Sequence, residues 1–225
     1  MEGDKATGAH CRDVSKTYRR ATGATPALDG VDIDLQPATV TALVGPSGSG
    51  KSSLLRIVAG LDKPDRGTVV VGDIDIARLS ERSRRRFRRA RIGYVFQRPS
   101  DNLISYLTVM EHMDLAARVR GASHEGSVEI LERLGIAARG DNHPHQLSGG
   151  EQQRLAFGLA AIGSPSLVIA DEPTAELDHE SGAALMGLVT SLARMGTSVV
   201  IATHDPEVAR FADVRVTLDE GKVVP

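Results

Sequence analysis

The sequence predicts an α/β fold with a helical insertion. Strand-like segments of a few residues recur toward both ends of the chain, while helical periodicity dominates its middle. Length agrees: 225 residues suit one large domain, which can bury about 70% of the surface its unfolded chain exposes.

The elements follow in order. Val31, Ile33 and Leu35 alternate with Asp32, Asp34 and Gln36, as in a strand with one wet face. Residues 39–44 form a short β-rich run that stops at glycine. Across 51–59, Leu54, Leu55 and Val58 share one side of a helix. Residues 68–71 and 92–96 read as further strands. Helical spacing then takes over through Leu107, Met110, Leu115, Val119, Val128, Leu131 and Leu134, and resumes over 151–162. Residues 167–170 suit a strand buried on both faces. A helix over 179–194, a strand over 198–202 and a pair of short strands around Glu220-Gly221 complete the chain. The insertion is placed at 98–165, with 1–97 and 166–225 forming the core of a single domain.

Composition narrows the function. Hydrophobic residues are 41% and charged residues 25%, an ordinary balance for a folded chain that argues against disorder. Lys plus Arg is 27 against 29 Asp plus Glu, a net charge of −2, so no nucleic-acid partner is expected. Aromatics at 3% also argue against platforms for stacked bases. Cys11 stands alone, which excludes an intramolecular disulfide and a Cys-rich zinc site and suits a reducing compartment. The longest apolar runs, 167–170 and 199–202, fall far short of the ~18 residues of a membrane span. Residues 1–10 lack the apolar block of a secretory signal. Charge is uneven, since seven of the ten residues 82–91 are arginine. Such a run fits either a solvated helix face or a contact with anionic lipid head groups or an acidic partner.

Two motifs carry chemistry. Gly45-Pro46-Ser47-Gly48-Ser49-Gly50-Lys51-Ser52 fits G-x-x-x-x-G-K-[ST], between a predicted strand and a predicted helix that continues with Ser53. Consecutive backbone N–H groups suit a phosphate chain, and Gly48 and Gly50 allow the backbone to approach it closely. The following helix turns its positive end toward the same anion. Lys51 adds a charge for the outer phosphates, and the Ser52 hydroxyl can ligate Mg²⁺. The second motif is Asp171-Glu172, at the end of the buried strand. A sheet edge of this kind is where α/β proteins bind ligands. Asp171 can hold Mg²⁺, and Glu172 can accept a proton from water attacking a γ-phosphate.

Leu147-Ser148-Gly149-Gly150-Glu151-Gln152-Gln153-Arg154 resembles the signature sequence of the ATP-binding cassette ATPases. Ser148, Gly149 and Gly150 precede a predicted helix and so offer a hydroxyl, N–H groups and a helix dipole to an anion. The resemblance extends over nearly the whole chain and is strongest for the bacterial lipoprotein-release and macrolide-export type. It implies a P-loop NTPase core with a mixed sheet, an N-terminal antiparallel β subdomain and an inserted α-helical subdomain. Residue by residue, Tyr18 resembles the aromatic that stacks on adenine after a first strand. Gln97 resembles the glutamine that senses Mg²⁺. Asp178, in Ala175-Glu176-Leu177-Asp178, resembles the acid of the segment crossing the dimer interface, and His204 resembles the histidine at the γ-phosphate. His143 and His145 read as polar loop residues.

The resemblance further implies ATP and Mg²⁺ as cofactors and a second copy of the chain as an ATP-dependent partner, with the signature of each copy completing the other's site. It implies integral membrane permease subunits as a second partner, and a peripheral location on the cytoplasmic face of the membrane. Leu159 stands where a second arginine is usual, Glu176 departs from the usual crossing segment, and residues 98–105 are longer than in typical relatives. A soluble cassette acting on nucleic acid or a macromolecular complex is the alternative. A GTPase is disfavoured, because neither D-x-x-G nor N-K-x-D occurs.

Overall fold

The computed structural model describes residues 8–20, 23–175 and 177–224. Residues 1–7, part of the segment where no secretory signal is expected, and Glu176 lie outside the described residues. In chain order, β1 (Ala9–Arg20) and β2 (Gly23–Leu35) pair, and β3 (Val40–Val44) leads through a glycine-rich loop into α1 (Lys51–Val58). Next come β4 (Arg66–Val71), β5 (Ile74–Asp75), α2 (Glu81–Arg91) and β6 (Ile92–Val95). The middle holds α3 (Val109–Arg120), α4 (His124–Arg133) and α5 (Gly149–Ala161). The chain returns through β7 (Leu167–Asp171), α6 (His179–Arg194), β8 (Ser198–Thr203), α7 (Pro206–Arg210), β9 (Val214–Asp219) and β10 (Lys222–Val224).

Two sheets result. One is antiparallel, in the order β2-β1-β4-β5; the other is mixed, in the order β10-β9-β3-β8-β7-β6, with only β10 running antiparallel to its neighbour. Helix α1 lies between them because Leu54, Leu55, Ile57 and Val58 are all buried. They join Cys11, Val14 and Val31 of the first sheet and Leu43, Ile169 and Val200 of the second in one cluster. Strand β7 is buried throughout. Its Leu167 and Ile169 face α1, and its Val168 and Ala170 face α5 and α6, the period-two split of a strand covered on both sides.

Helix α5 ties the insertion to the core. Its Ala156, Phe157 and Ala160 pack with α6 on the mixed sheet, whereas Leu155 packs with Val109, Met113 and Leu131 of α3 and α4. A side chain at Gly93 of β6 would run into the Ala160 carbonyl oxygen, so α5 rests directly on that strand.

The structure adjusts several sequence expectations. The helical stretch through 107–134 divides in two. Gly121 ends α3 at φ 73°, and Ser123 caps α4, the positive-φ stop and side-chain start expected of such junctions. Helix α5 begins two residues before the expected 151, because Ser148 rather than a later residue is its N-cap. The strand foreseen over 92–96 stops at Val95. Tyr18 lies inside β1 rather than after it, since β1 continues to Arg20 along β2. The arginine-rich run is helix α2, whose outer face is exposed and whose Phe87 is buried.

Replacing Gly93 with Ala must push α5 off β6. The expected cost is about 1–3 kcal/mol, read as a lower urea midpoint with an unchanged denaturant slope. An unchanged midpoint would contradict the contact.

Candidate active site

Register in the mixed sheet sets the site. Val44 of β3 lies level with Thr203 of β8, Asp171 of β7 pairs with Ala202, and Val95 of β6 pairs with Ala170. The C-terminal ends of four neighbouring parallel strands therefore open on one edge, where an α/β sheet binds its ligand. From these ends project the 45–52 loop, Gln97, Asp171-Glu172 and His204.

The loop folds as its composition requires. Gly48 and Gly50 adopt φ of 82° and 103°, in the left-handed region that favours glycine. A side chain at Gly48 would meet nothing nearby, whereas one at Gly50 would strike the Ala27 carbonyl of β2. The antiparallel sheet thus presses on the back of the loop while its front stays open. Gly50 caps α1 without a side-chain hydrogen bond, which leaves the first N–H groups of the helix for an anion. Lys51 is buried, and its Nζ donates to the carbonyl oxygens of Gly45 at 2.7 Å and Pro46 at 3.0 Å. It bridges the mouth of the loop as a cation held by neutral oxygens.

Across the cleft, β7 delivers its two carboxylates to different surroundings. Asp171 is buried, and that burial raises its pKa; the adjacent Ser52 hydroxyl opposes the rise and the Glu172 charge adds to it. Glu172 sits at φ 46°, a left-handed angle for a residue with a side chain, which costs about 1 kcal/mol or more and is typical of functional positions. Its N–H is fixed by the Ala202 carbonyl at 2.9 Å. One of its carboxylate oxygens lies 2.9 Å from His204 Nδ1, and the other accepts from the His204 N–H at 3.3 Å. The His204 ring is largely exposed, at 68%, and so is free to meet a ligand.

Lys51, Glu172 and His204 line one cleft of about 490 Å³ together with Tyr18, Ser47, Ser52, Ser53 and Gln97, a volume suited to a nucleotide-sized ligand; Asp171 is not part of its lining and lies buried beside the Ser52 hydroxyl. Tyr18 is held at its rim by donating its hydroxyl to Asp62 at 2.9 Å, with Lys16 Nζ 5.4 Å from its ring centre. Gln97 follows β6 on a loop pinned by Asn102, whose side chain bonds both the N–H and the carbonyl of Phe96. Gly45 and Pro46 line the opposite side of the loop, and Ser49 is buried beneath it.

The oxygen donors here are hard: the Asp171 carboxylate, the Ser52 hydroxyl beside it and the Gln97 amide on the cleft wall. They fit Mg²⁺, which takes one or two carboxylates plus substrate phosphates rather than an all-protein cage. Among the described residues no cluster of three or more His, Cys, Asp or Glu forms such a cage.

Ser148, Gly149, Gly150 and Asp178 lie outside this cleft. Ser148 caps α5 in a reciprocal box with Glu151, and the Glu151 carboxylate also pairs with Arg139 at 2.8 Å. Asp178 caps α6 through the Ser181 N–H. Ser181 in turn abuts the buried Gly150, which brings Asp178 near the exposed Ser148 and Gly149. His143 and His145 stack on one another.

Sequence reasoning missed Thr25, Pro26 and Ala27, which complete the cleft wall. Their side chains carry no distinctive chemistry, and only the pairing of Tyr18 with Thr25 and of Thr17 with Pro26 brings them there.

Comparison with known proteins agrees with this geometry. Residues 28–175 match the family described as "ABC transporter". The chain is 39% identical over 215 residues to the lipoprotein-releasing system ATP-binding protein LolD 2 of Caulobacter vibrioides, an alignment spanning 93% of each chain. It is 37% identical over 215 residues to the macrolide export ATP-binding/permease protein MacB of Chlorobaculum tepidum, covering 94% of this chain and 33% of that one. In fold it matches MJ0796, a bacterial ABC transporter cassette solved as a dimer, with TM-score 0.88 and 35% identity over 96% of this chain and 97% of that chain. A second dimeric structure of MJ0796, in a post-hydrolysis state with ADP and Pi, matches equally in TM-score. With a phosphate loop, an acidic strand end and these relatives in agreement, the chain belongs to the ABC transporter family, as one of its ATP-hydrolysing cassettes.

Proposed function

We propose that this chain is the ATP-hydrolysing subunit of an export or lipoprotein-extrusion transporter, working as a head-to-tail pair and driving a separate membrane permease. The observation that carries this reading is a split site. The phosphate loop and the Glu172–His204 pair share one cleft, while the start of α5, capped by Ser148, is not part of its lining. A second copy turned head to tail would bring its own Ser148, Gly149 and Gly150 over that cleft, and Asp178 would line the same junction. ATP then binds both copies together, and hydrolysis releases them.

Within the cleft, the loop N–H groups and Lys51 hold the phosphates, with Tyr18 against the base. Glu172 accepts the proton of the attacking water, and His204, in contact with that carboxylate, orients both toward the γ-phosphate. Ser52, Asp171 and Gln97 would hold Mg²⁺, which when bound would supply positive charge against the phosphoryl oxygens. The LolD 2 and MacB relatives support export with a permease over action on nucleic acid, as do the net charge of −2 and the few aromatics. Among the described residues no helix is long and apolar enough to cross a membrane. Attachment through a permease at the cytoplasmic face accommodates that.

Glu172→Gln is expected to retain ATP binding and to lower kcat by roughly 10²–10⁴-fold, the usual contribution of a general base. Turnover at the parental rate contradicts the assignment. The same variant, tagged and purified from native membranes with ATP, should carry an integral membrane protein in near-equal amount. Recovery of only soluble proteins or nucleic acid contradicts the permease reading.

Asp171→Asn separates stability from metal use. Burial disfavours the ionised Asp171, so at neutral pH the folded state carries a cost that Asn removes. The variant should melt higher than the parent at pH 7. That gain should shrink as pH falls and Asp171 itself takes a proton, while the Mg²⁺ concentration needed for half-maximal ATPase rises at least tenfold. A lower melting temperature, or an unchanged Mg²⁺ requirement, would contradict this account of Asp171.

A further inference from the structure

Helix α2 carries seven arginines in eleven residues, and its geometry sorts them into two faces. Arg84, Phe87, Arg88 and Arg91 follow i, i+3, i+4, i+7 spacing on the inward side. Phe87 is buried, Arg88 donates to the Gly60 carbonyl at 2.7 Å, and Arg84 lies against Gly60. Arg82, Arg85, Arg86 and Arg89 repeat the same spacing on the outward side, and all four are exposed. They form a straight stripe about 10 Å long at 1.5 Å per residue.

Among the described residues that stripe is balanced only in part. Arg85 pairs with Glu81 at 2.7 Å, but Arg82, Arg86 and Arg89 form no ion pair with any described residue. Like charges at helical spacing repel, and burial together with neighbouring Arg84 and Arg85 lowers the pKa of Arg88. Outside α2, carboxylates outnumber lysines and arginines, so the helix is a positive pole on an otherwise acidic molecule. Beside the stripe, Phe96 and Val119 are exposed and share a shallow groove with Arg85, Arg88 and Arg89.

We infer that the outer face of α2 binds the anionic phospholipid surface of a membrane directly. The planar guanidinium fork matches phosphodiester oxygens, and a basic stripe flanked by exposed apolar side chains is the composition of a surface that lies on a bilayer. A single-stranded nucleic acid is disfavoured by the 3% aromatic content, which offers few faces for stacked bases. This contact is independent of the permease: it orients the cassette at the membrane whether or not one is bound.

The test is flotation of the full chain with vesicles of phosphatidylcholine alone and of phosphatidylcholine with equimolar phosphatidylglycerol. The parent should float only with the anionic vesicles and come off as salt is raised. Each arginine near an anionic surface is worth about fivefold in affinity. The combined variant R82Q/R85Q/R86Q/R89Q should therefore bind at least about a hundredfold more weakly, and the corresponding lysine variant should retain most binding. Both should keep parental ATPase activity, which reports an intact fold. Equal binding to neutral vesicles, no binding to either, binding unchanged in the glutamine variant, or displacement by a short RNA duplex in preference to lipid would each overturn the inference. Failure here with permease capture intact removes only this inference, and the converse removes only the transporter reading.

Discussion

The level alignment of four parallel strand ends is the constraint on which the site depends. Strands β3, β8, β7 and β6 finish at nearly one height because their registers pair Val44 with Thr203, Asp171 with Ala202 and Val95 with Ala170. A register slip of one residue would turn each side chain to the opposite face. The hydrophobic content of β7 forbids this, since Leu167 and Ile169 already fill one core while Val168 and Ala170 fill the other. Packing on both faces thus fixes where Glu172 and His204 meet.

The same packing explains how strain is tolerated at this sheet edge. Glu172 adopts a left-handed backbone angle immediately after a fully buried strand, held by the Ala202 carbonyl. Asp171 stays buried against the ordinary preference of a carboxylate. Each is unfavourable alone; under the proposed function each would be offset when a phosphate chain and a divalent cation enter the cleft. Stability in this region is given up for function, as at many binding sites. The sheet and α1 behind it supply the compensating burial.

Much of this was legible in the sequence. The 45–52 loop, Asp171-Glu172 and the signature each couple an unusual residue string to a predicted strand or helix boundary, and the structure places each at such a boundary. The strands over 39–44, 167–170 and 198–202 were readable because short apolar runs rich in β-branched residues stop at glycine, a carboxylate or a polar residue. What was not legible depends on distant partners. Thr25, Pro26 and Ala27 join the cleft only through the β1–β2 register. The split between α3 and α4 turns on one glycine at positive φ. The arginines of α2 separate into inward and outward sets only once Phe87 is seen to be buried.

The split site makes a claim about geometry that one mixing experiment addresses. A bulky signature variant, Ser148→Phe, leaves its own cleft untouched, and Lys51→Ala leaves its own signature untouched. Each alone should lack ATPase activity. Mixed in equal amounts, they should regain turnover, because one site of each mixed pair combines an intact phosphate loop from one copy with an intact signature from the other. If the mixture stays inactive while both variants fold and pair, or if Ser148→Phe alone keeps parental activity, the head-to-tail account is wrong.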